Sequence, residues 1–391
     1  MPRVKCPKCN KVETILKSGF IRQKQRYVCK ECNYNFTLHH ENRKAKHQAR
    51  RNYHTTILDI AKAMGISATT VSRALHDHPD ISRQTTAAIK EMAVEMDYHP
   101  NLLARSFVNR KTNTIGVIIP NLEATFFSSM LGGIQKVASQ SGYRVIMCQS
   151  NEDHQTEVDN VHALMDSRVD GLLICHSMEN LSYDHIKVYQ DRGVPIVHFY
   201  RVLMGSGTSK VLANNVEGAE NITQHLLDRG CRRIAIILGP KPLLITKERL
   251  SGYLNMLKKS DIAPDQKIIC YTDYSQLKVI SAVDQLLELP EPPDAIFCIS
   301  DRSAIYVLKH LKKRNIKVPE TIAVAGFGND LMGELVEPGL TTYDVQTSRI
   351  GETAMEIMLD QMNGGVAYQS ELKTVSGELV IRESSQKPEV L

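Results

Sequence analysis

Four cysteines stand in two close pairs near the start of the chain, "CPKC" at 6–9 and "CKEC" at 29–32. The 19 residues between the pairs suit a four-thiolate zinc site, whose pairs are spaced by about 15–20 residues. Each C-x-x-C folds as a tight knuckle, and two knuckles set four sulfurs on a tetrahedron. Lys5, Lys8, Arg26 and Lys30 lie beside them and favour the thiolate form that zinc requires. A redox C-x-x-C needs a strand–helix frame that is absent from this stretch, and two disulfides need an oxidising compartment. The expectation is one structural Zn2+ per chain, held by Cys6, Cys9, Cys29 and Cys32. A segment this small has almost no core, so the metal must supply its folding energy, on the order of 10–16 kcal/mol in comparable sites. Without zinc it is expected to be unfolded.

The rest of the composition sets wider limits. A chain of 391 residues, 42% hydrophobic, holds more than one domain and can bury a sizeable core. No apolar run approaches the roughly 20 residues of a membrane span, and the charged start "MPRVKCPKCNK" lacks the apolar segment of a secretory signal. A cytoplasmic location with no membrane partner is therefore expected. The five later cysteines, Cys148, Cys175, Cys231, Cys270 and Cys298, sit in or beside apolar runs and read as small core hydrophobes. The net charge of +5 is unevenly spread: residues 1–54 carry 14 Lys+Arg against 3 Asp+Glu, while the chain beyond 111 is net negative. A basic block such as "ENRKAKHQARRNY" at 41–53 is either a solvated tail or a surface that neutralises phosphates. The stretch "CPKCNKVETILKSGFIRQKQRYVCKECNYNFT" resembles the zinc ribbons at the front of insertion-sequence transposases, which implies contact with nucleic acid.

From Thr55 to Asn101, apolar residues recur at helical spacing: Ile57, Ile60, Ala61 and Met64, then Ile66, Val71 and Leu75, then Ile89, Met92, Ala93 and Met96. Three short amphipathic helices follow. Small Ala61 allows close approach, Gly65 permits a bend, and Ser67 can cap a second helix whose outer face offers Ala68, Thr69, Ser72 and Arg73. That is a helix-turn-helix, with the second helix suited to the major groove.

The phrases "TVSRAL" at 70–75, "YHPN" at 98–101 and "LARSF" at 103–107 resemble the headpiece and hinge of the LacI/GalR family of bacterial repressors, and the resemblance runs to about residue 383. It implies DNA contacts by Thr56, Ser67, Ala68, Thr69, Thr70, Ser72 and Arg73 in the headpiece, and by Asn101, Ala104, Arg105 and Phe107 in the hinge. Family members pry open the central minor-groove step with a leucine. This chain carries Phe107 there, another apolar wedge. Arg73 can take a guanine through two hydrogen bonds, whereas Ala68 can only touch a methyl group.

Beyond Thr114 the apolar runs "TIGVIIP", "RVIMCQS", "GLLICH", "PIVHFY", "IAIILG", "KIICYT", "AIFCIS" and "IAVAGF" alternate with helix-length amphipathic stretches. This βαβ rhythm, with runs apolar throughout, indicates parallel strands covered on both faces. Eight such strands suit two doubly wound subdomains with a ligand cleft between them. The family resemblance implies a periplasmic-binding-protein-like effector domain with crossings near Leu212, Thr341–Asp344 and Leu372. The full expectation is multidomain: a zinc ribbon at 1–40, a basic linker at 41–54, an all-α headpiece at 55–98, a hinge and linker at 99–112, an α/β effector-binding and dimerisation domain at 113–383, and a tail at 384–391.

The resemblance places effector contacts at Asn121, Phe126, Phe127, Arg201, Arg249, Tyr274 and Asp301. Tyr200-Arg201 and "LANN" at 212–215 replace more acidic phrases of relatives, so a pocket less acidic than usual is expected, which makes a simple neutral sugar a weaker expectation than for an average relative and gives a phosphorylated or acidic sugar some weight. Nothing points to catalysis. No phosphate-cradling G-x-x-x-x-G-K-[ST] or G-x-G-x-x-G follows a strand, and no G-x-S-x-G elbow occurs. "GSGTSK" at 205–210 reads as a polar loop, the 14 histidines are spread out, and His39-His40 reads as surface. The reading is a non-enzymatic repressor that binds a pseudo-palindromic operator in double-stranded DNA as a homodimer, with a tetramer left open. It answers to a small-molecule effector of sugar type. The rival reading is a ligand sensor that contacts a partner protein through the ribbon.

Overall fold

The computed structural model describes residues 4–12, 14–21, 24–37, 55–99, 111–122, 125–179, 182–364 and 368–386. The linker at 41–54, His39-His40 and the hinge residues Asn101, Ala104, Arg105 and Phe107 lie outside them. The chain divides into two compact units, residues 1–105 and 106–391.

In the first unit, β1 (Ile15–Ile21), β2 (Lys24–Cys29) and β3 (Asn35–Thr37) form an antiparallel sheet in sequence order. Its small core is Phe36 stacked on Tyr27, with Cys6 and Cys29 fully buried. The headpiece holds α1 (Ile57–Met64), α2 (Ala68–Leu75) and α3 (Arg83–Glu95). Gly65 ends α1 in the left-handed conformation that favours glycine, at φ 68°. Ser67 caps α2 by accepting a hydrogen bond from the Thr70 backbone N–H at 3.0 Å. Ile60, Ala61, Val71, Ala74, Ile89 and Ala93 close a core between the three helices.

The second unit has two lobes. In the first, β4 (Thr114–Ile119), β5 (Arg144–Gln149), β6 (Gly171–Ile174), β7 (Ile196–Phe199), β8 (Ser209–Ala213) and β14 (Leu372–Val375) form a parallel sheet in the order β14-β8-β7-β6-β4-β5. Side chains alternate across it. Ile115, Val117 and Ile119 face α4 (Thr125–Gln140) and α12 (Thr347–Gly364), while Ile118 faces α5 (His154–Asp166) and α6 (Asp184–Gln190). In the second lobe, β9 (Ile234–Leu238), β10 (Ile269–Tyr271), β11 (Ala295–Cys298) and β12 (Ala323–Ala325) pair in parallel as β10-β9-β11-β12. Helices α7 (Asn215–Asp228) and α8 (Leu244–Lys259) cover one face, and α9 (Gln276–Leu287) and α10 (Asp301–Lys313) the other. The short α11 (Leu331–Leu335) follows β12, and β13 (Thr342–Asp344) pairs antiparallel with β15 (Glu378–Val380). The chain passes between the lobes after Ala213, Asp344 and Val375.

Among the described residues of the second unit, four strands, β8, β13, β14 and β15, lie outside the eight apolar runs. The end of "GSGTSK" is not loop: Ser209 and Lys210 begin β8 and are buried, with the Lys210 ammonium donating to the Thr208 carbonyl at 2.7 Å.

Helices α4 and α12 meet backbone to backbone. A Cβ on Gly133 would collide with the Ser348 carbonyl, and one on Gly351 with the Met130 carbonyl, whereas Gly132 faces open space. Gly133→Ala is expected to cost about 1–3 kcal/mol through overpacking. Gly132→Ala, in the same helix, is expected to gain up to about 1 kcal/mol from helix propensity alone. Urea midpoints of the two variants check this pair of opposite signs.

Candidate DNA-binding and effector-binding sites

On the headpiece, Thr56, Ser67, Thr69 and Arg73 are exposed and Ala68, Thr70 and Ser72 half-buried. Asp59 accepts from the Thr56 backbone N–H at 2.9 Å and so fixes the start of α1. The Ser67 hydroxyl is engaged in the cap of α2, and Ala68 packs on the rim of the core. Thr69 and Arg73 are left as the outward members of α2. Among the described residues Arg73 reaches only Asp80, at 3.5 Å and with both side chains more than half exposed, an ion pair too weak to hold it back from a stronger partner.

A cavity of about 660 Å3 opens between the two lobes of the second unit. That is ample for a ligand of one or two sugar rings. Much of the wall follows the C-terminal ends of parallel strands, where such sheets place their ligands. Asn121 follows β4, Glu152 follows β5, Met178 follows β6, Tyr200 and Arg201 follow β7, Tyr274 follows β10, Asp301 follows β11 and Phe327 follows β12. Phe126 and Phe127 come from α4 and Arg249 from α8, so all seven residues expected at the effector site line this one cavity.

The wall is aromatic. Phe126 stands edge-on to Tyr200 with ring centroids 4.5 Å apart and to Phe127 at 5.5 Å, and the Tyr274 ring fills the place a Cβ on Gly239 would need. Tyr200 and Tyr274 have φ of 60° and 64°, a left-handed backbone that costs bulky residues free energy and recurs where function holds it in place.

Its charges are paired. Arg201 donates to both Glu152 oxygens, at 2.8 and 2.9 Å, and lies over Phe127. Arg249 is buried: it donates to the Asn215 amide oxygen, the Ile299 carbonyl and the Tyr200 hydroxyl, with its guanidinium 3.8 Å from the Phe327 ring centre. Asn215 in turn donates to Glu248 at 2.8 Å. Asp301 accepts from the Thr342 hydroxyl at 2.6 Å and the Asp330 backbone N–H at 2.7 Å. Two buried polar atoms of the wall, Asn121 Oδ1 and Arg201 Nε, have no hydrogen-bond partner among the described residues.

The cavity carries carboxylates beyond Asp301. Glu152, Asp273 and Asp330 line it beside Asp301, and the sequence reading missed all three because each sits in a loop after a different strand. Arg201 is neutralised by Glu152 and Arg249 is committed to protein acceptors, which leaves Arg302, whose Nε donates to the Tyr306 hydroxyl at 2.9 Å, as the remaining guanidinium of the wall.

The four ribbon cysteines converge. Their sulfurs all lie within 4.8 Å of one another, with Cys6–Cys32 at 3.6 Å and Cys9–Cys29 at 3.5 Å. Metal–sulfur bonds of about 2.3 Å give a tetrahedron with edges of roughly 3.8 Å, so the four could hold a divalent ion. Asn10 and Asn33, missed in the sequence reading, each follow a knuckle in left-handed conformation, at φ 59° and 51°. The repeated phrase "CPKCN" and "CKECN" was the available signal. Backbone N–H groups of Cys32 and Glu31, with the Thr14 hydroxyl, bring the Cys29 thiol down to about 6, against the pull of burial. The five later cysteines are unbridged, and burial raises Cys175 to about 12.

Comparison with known proteins gives these sites their setting. Residues 56–101 match the model described as "Bacterial regulatory proteins, lacI family", and residues 223–385 match "Periplasmic binding protein-like domain". The HTH-type transcriptional repressor CytR of Escherichia coli (strain K12) is 31% identical over 331 residues, 85% of this chain and 96% of the relative. The chain belongs to the LacI family. It is a DNA-binding repressor that carries an effector-binding domain. The HTH-type transcriptional repressor PurR of Vibrio atlanticus (strain LGP32) is 30% identical over 313 residues, covering 78% of this chain and 92% of the relative. Among solved structures, a transcriptional regulator CelR–cellobiose complex superposes with a TM-score of 0.64 at 26% identity, over 84% of this chain and 99% of that one. No described helix is long and apolar enough to cross a membrane.

Asp301 generates a pH prediction. Burial pushes its carboxyl up to about 6, and the hydrogen bonds from Thr342 and Asp330 only partly oppose it. Such a group prefers its proton in the folded state. Its contribution is fully present below the ordinary value of about 3.9 and is lost as pH rises through about 6. Asp301→Asn removes that loss, so the variant's stability relative to wild type should climb between about pH 4 and 6 and level off above. Urea midpoints across that range check it.

Proposed function

We propose that this repressor reads a pseudo-palindromic operator as a homodimer and is controlled by a neutral, hydroxyl-rich ligand, a sugar or sugar derivative, bound between the two lobes. The observation that carries the reading is the pair of unpartnered buried atoms, Arg201 Nε and Asn121 Oδ1, in an aromatic-walled cavity. A buried donor or acceptor left unsatisfied costs about 1–3 kcal/mol, and a hydroxyl, which both gives and takes a hydrogen bond, satisfies either. Phe126, Phe127 and Tyr274 supply faces for the apolar side of a sugar ring, and the carboxylates disfavour an anion. The relative solved with cellobiose supports the same chemical class. Asn121, Phe126, Phe127, Arg201, Arg249, Tyr274 and Asp301 then form the effector site, and Thr69 and Arg73 lead the reading of bases.

The deciding experiment separates the two sites. On an operator selected from a random duplex pool, Arg73→Ala should lose about 1–3 kcal/mol and relax one base position per half-site, with random DNA much less affected. Arg201→Lys keeps the charge opposite Glu152 but deletes Nε. It should weaken the sugar found by thermal-shift screening about tenfold or more and leave operator affinity without ligand unchanged. Equal losses on operator and random DNA, or full sugar affinity in Arg201→Lys, would overturn the assignments.

We further propose that Cys6, Cys9, Cys29 and Cys32 hold one structural Zn2+, and that the ribbon with its basic linker adds phosphate contacts beside each half-site. The sulfur spacing and the +11 net charge of residues 1–54 support this. If roughly three to five more phosphates per subunit are neutralised, log affinity should fall more steeply with log salt than for a chain starting at Asn52, by about 0.9 per contact. Chelation of zinc, or Cys29→Ser, should shift the full chain toward the truncated one. Coincident slopes and footprints for all three would assign the ribbon to a protein partner instead.

A further inference from the structure

The histidines are not as scattered as the sequence suggests. Under the first-lobe sheet, His154, His176, His185 and His198 gather around the fully buried carboxylate of Glu157. His154 opens α5, Glu157 lies one turn along the same face, and His185 stands near the start of α6. The three offer donor atoms that all lie within 4.8 Å of one another. The His185 side chain is only 6% exposed, and its Nδ1, like that of His154, is buried with no hydrogen-bond partner among the described residues.

We propose that His154, Glu157 and His185 form a divalent transition-metal site with two imidazole nitrogens and one carboxylate. An imidazole nitrogen left unpaired in a dry interior is costly as a structural element and productive as a metal ligand. Two imidazoles and one carboxylate suit Zn2+, Co2+ or Ni2+ rather than Mg2+ or Ca2+, which take oxygen donors. Bonds near 2.1 Å set neighbouring donors roughly 3.4 Å apart, so the cluster closes on an ion by rotating the two rings. The surroundings supply the outer support such a site requires. His176 Nδ1 lies 2.7 Å from Glu157 Oε1 and the Ser177 backbone N–H donates to Oε2 at 2.7 Å, which fixes the carboxylate, while His176 Nε2 meets His198 Nδ1 at 2.8 Å. The next residue ties this centre to the effector cavity: the Met178 backbone N–H donates to Glu152, the partner of Arg201. Ion binding therefore acts one loop away from the effector.

The probe is Co2+ alone, loaded into the reduced full-length chain. A cobalt ion held by these residues gives exchangeable, hyperfine-shifted imidazole N–H proton signals, which a four-thiolate site cannot give. Thiolate-to-cobalt charge transfer in the near ultraviolet reports the ribbon separately. The expected result is imidazole signals in wild type, lost with one equivalent of cobalt in His154→Ala and in His185→Ala, while the thiolate bands persist. Wild type without shifted imidazole protons overturns the site whatever the variants do, and so does their survival in both variants. Circular dichroism verifies that each variant is folded, and if one is not, the other and the wild-type spectrum decide.

Discussion

Buried charge needs a partner, and that requirement organises the effector domain. Both sheets are covered on both faces, so a polar side chain placed after a strand enters a dry interior, where an unpaired ion costs several kcal/mol. Each charge in the cleft is accordingly answered. Glu152 meets Arg201, Asp301 takes two donors from the segments at 330 and 342, and Arg249 fills its donors with a carbonyl, an amide and a hydroxyl. The few atoms left over are where a ligand can bind without competing against the protein. Pairing thus defines the shape of the site and also its vacancies.

The same pairing links the cleft to a crossing between the lobes. Asp301 opens α10 but reaches Thr342 on β13, the strand from which the chain leaves the second lobe. That hydrogen bond ties the cavity wall directly to the crossing strand. A cleft bounded by three crossings has few ways to open.

How much of this was legible depended on whether the signal was local. The headpiece could be read because Gly65, Ser67 and the helical spacing of Ile60, Ala61 and Val71 lie within a dozen residues of each other. Strands buried on both faces announced themselves as apolar runs such as "TIGVIIP". Strand β8 did not, because "SKVLA" begins with a serine and a lysine whose ammonium finds a carbonyl, and edge strand β14, "LKTV", is largely exposed. The cavity residues came from a family resemblance and not from periodicity. Glu152, Asp273 and Asp330, and the histidines around Glu157, are assembled only by the parallel order of the sheet, which brings distant loops to one edge.

The first lobe is not continuous in the chain. Helix α12 and strand β14, which complete its sheet and cover one face, arrive only after the whole second lobe has been threaded through. On the ribosome, Ile115, Val117, Val197 and Val211 must wait with that face open until residue 364 has been made. The second lobe, nearly contiguous from 215 to 344, can collapse earlier, and the headpiece earlier still. A nascent chain therefore carries a headpiece able to fold long before it has anything with which to sense a ligand, and the exposed face of the half-built lobe is where a chaperone would be needed.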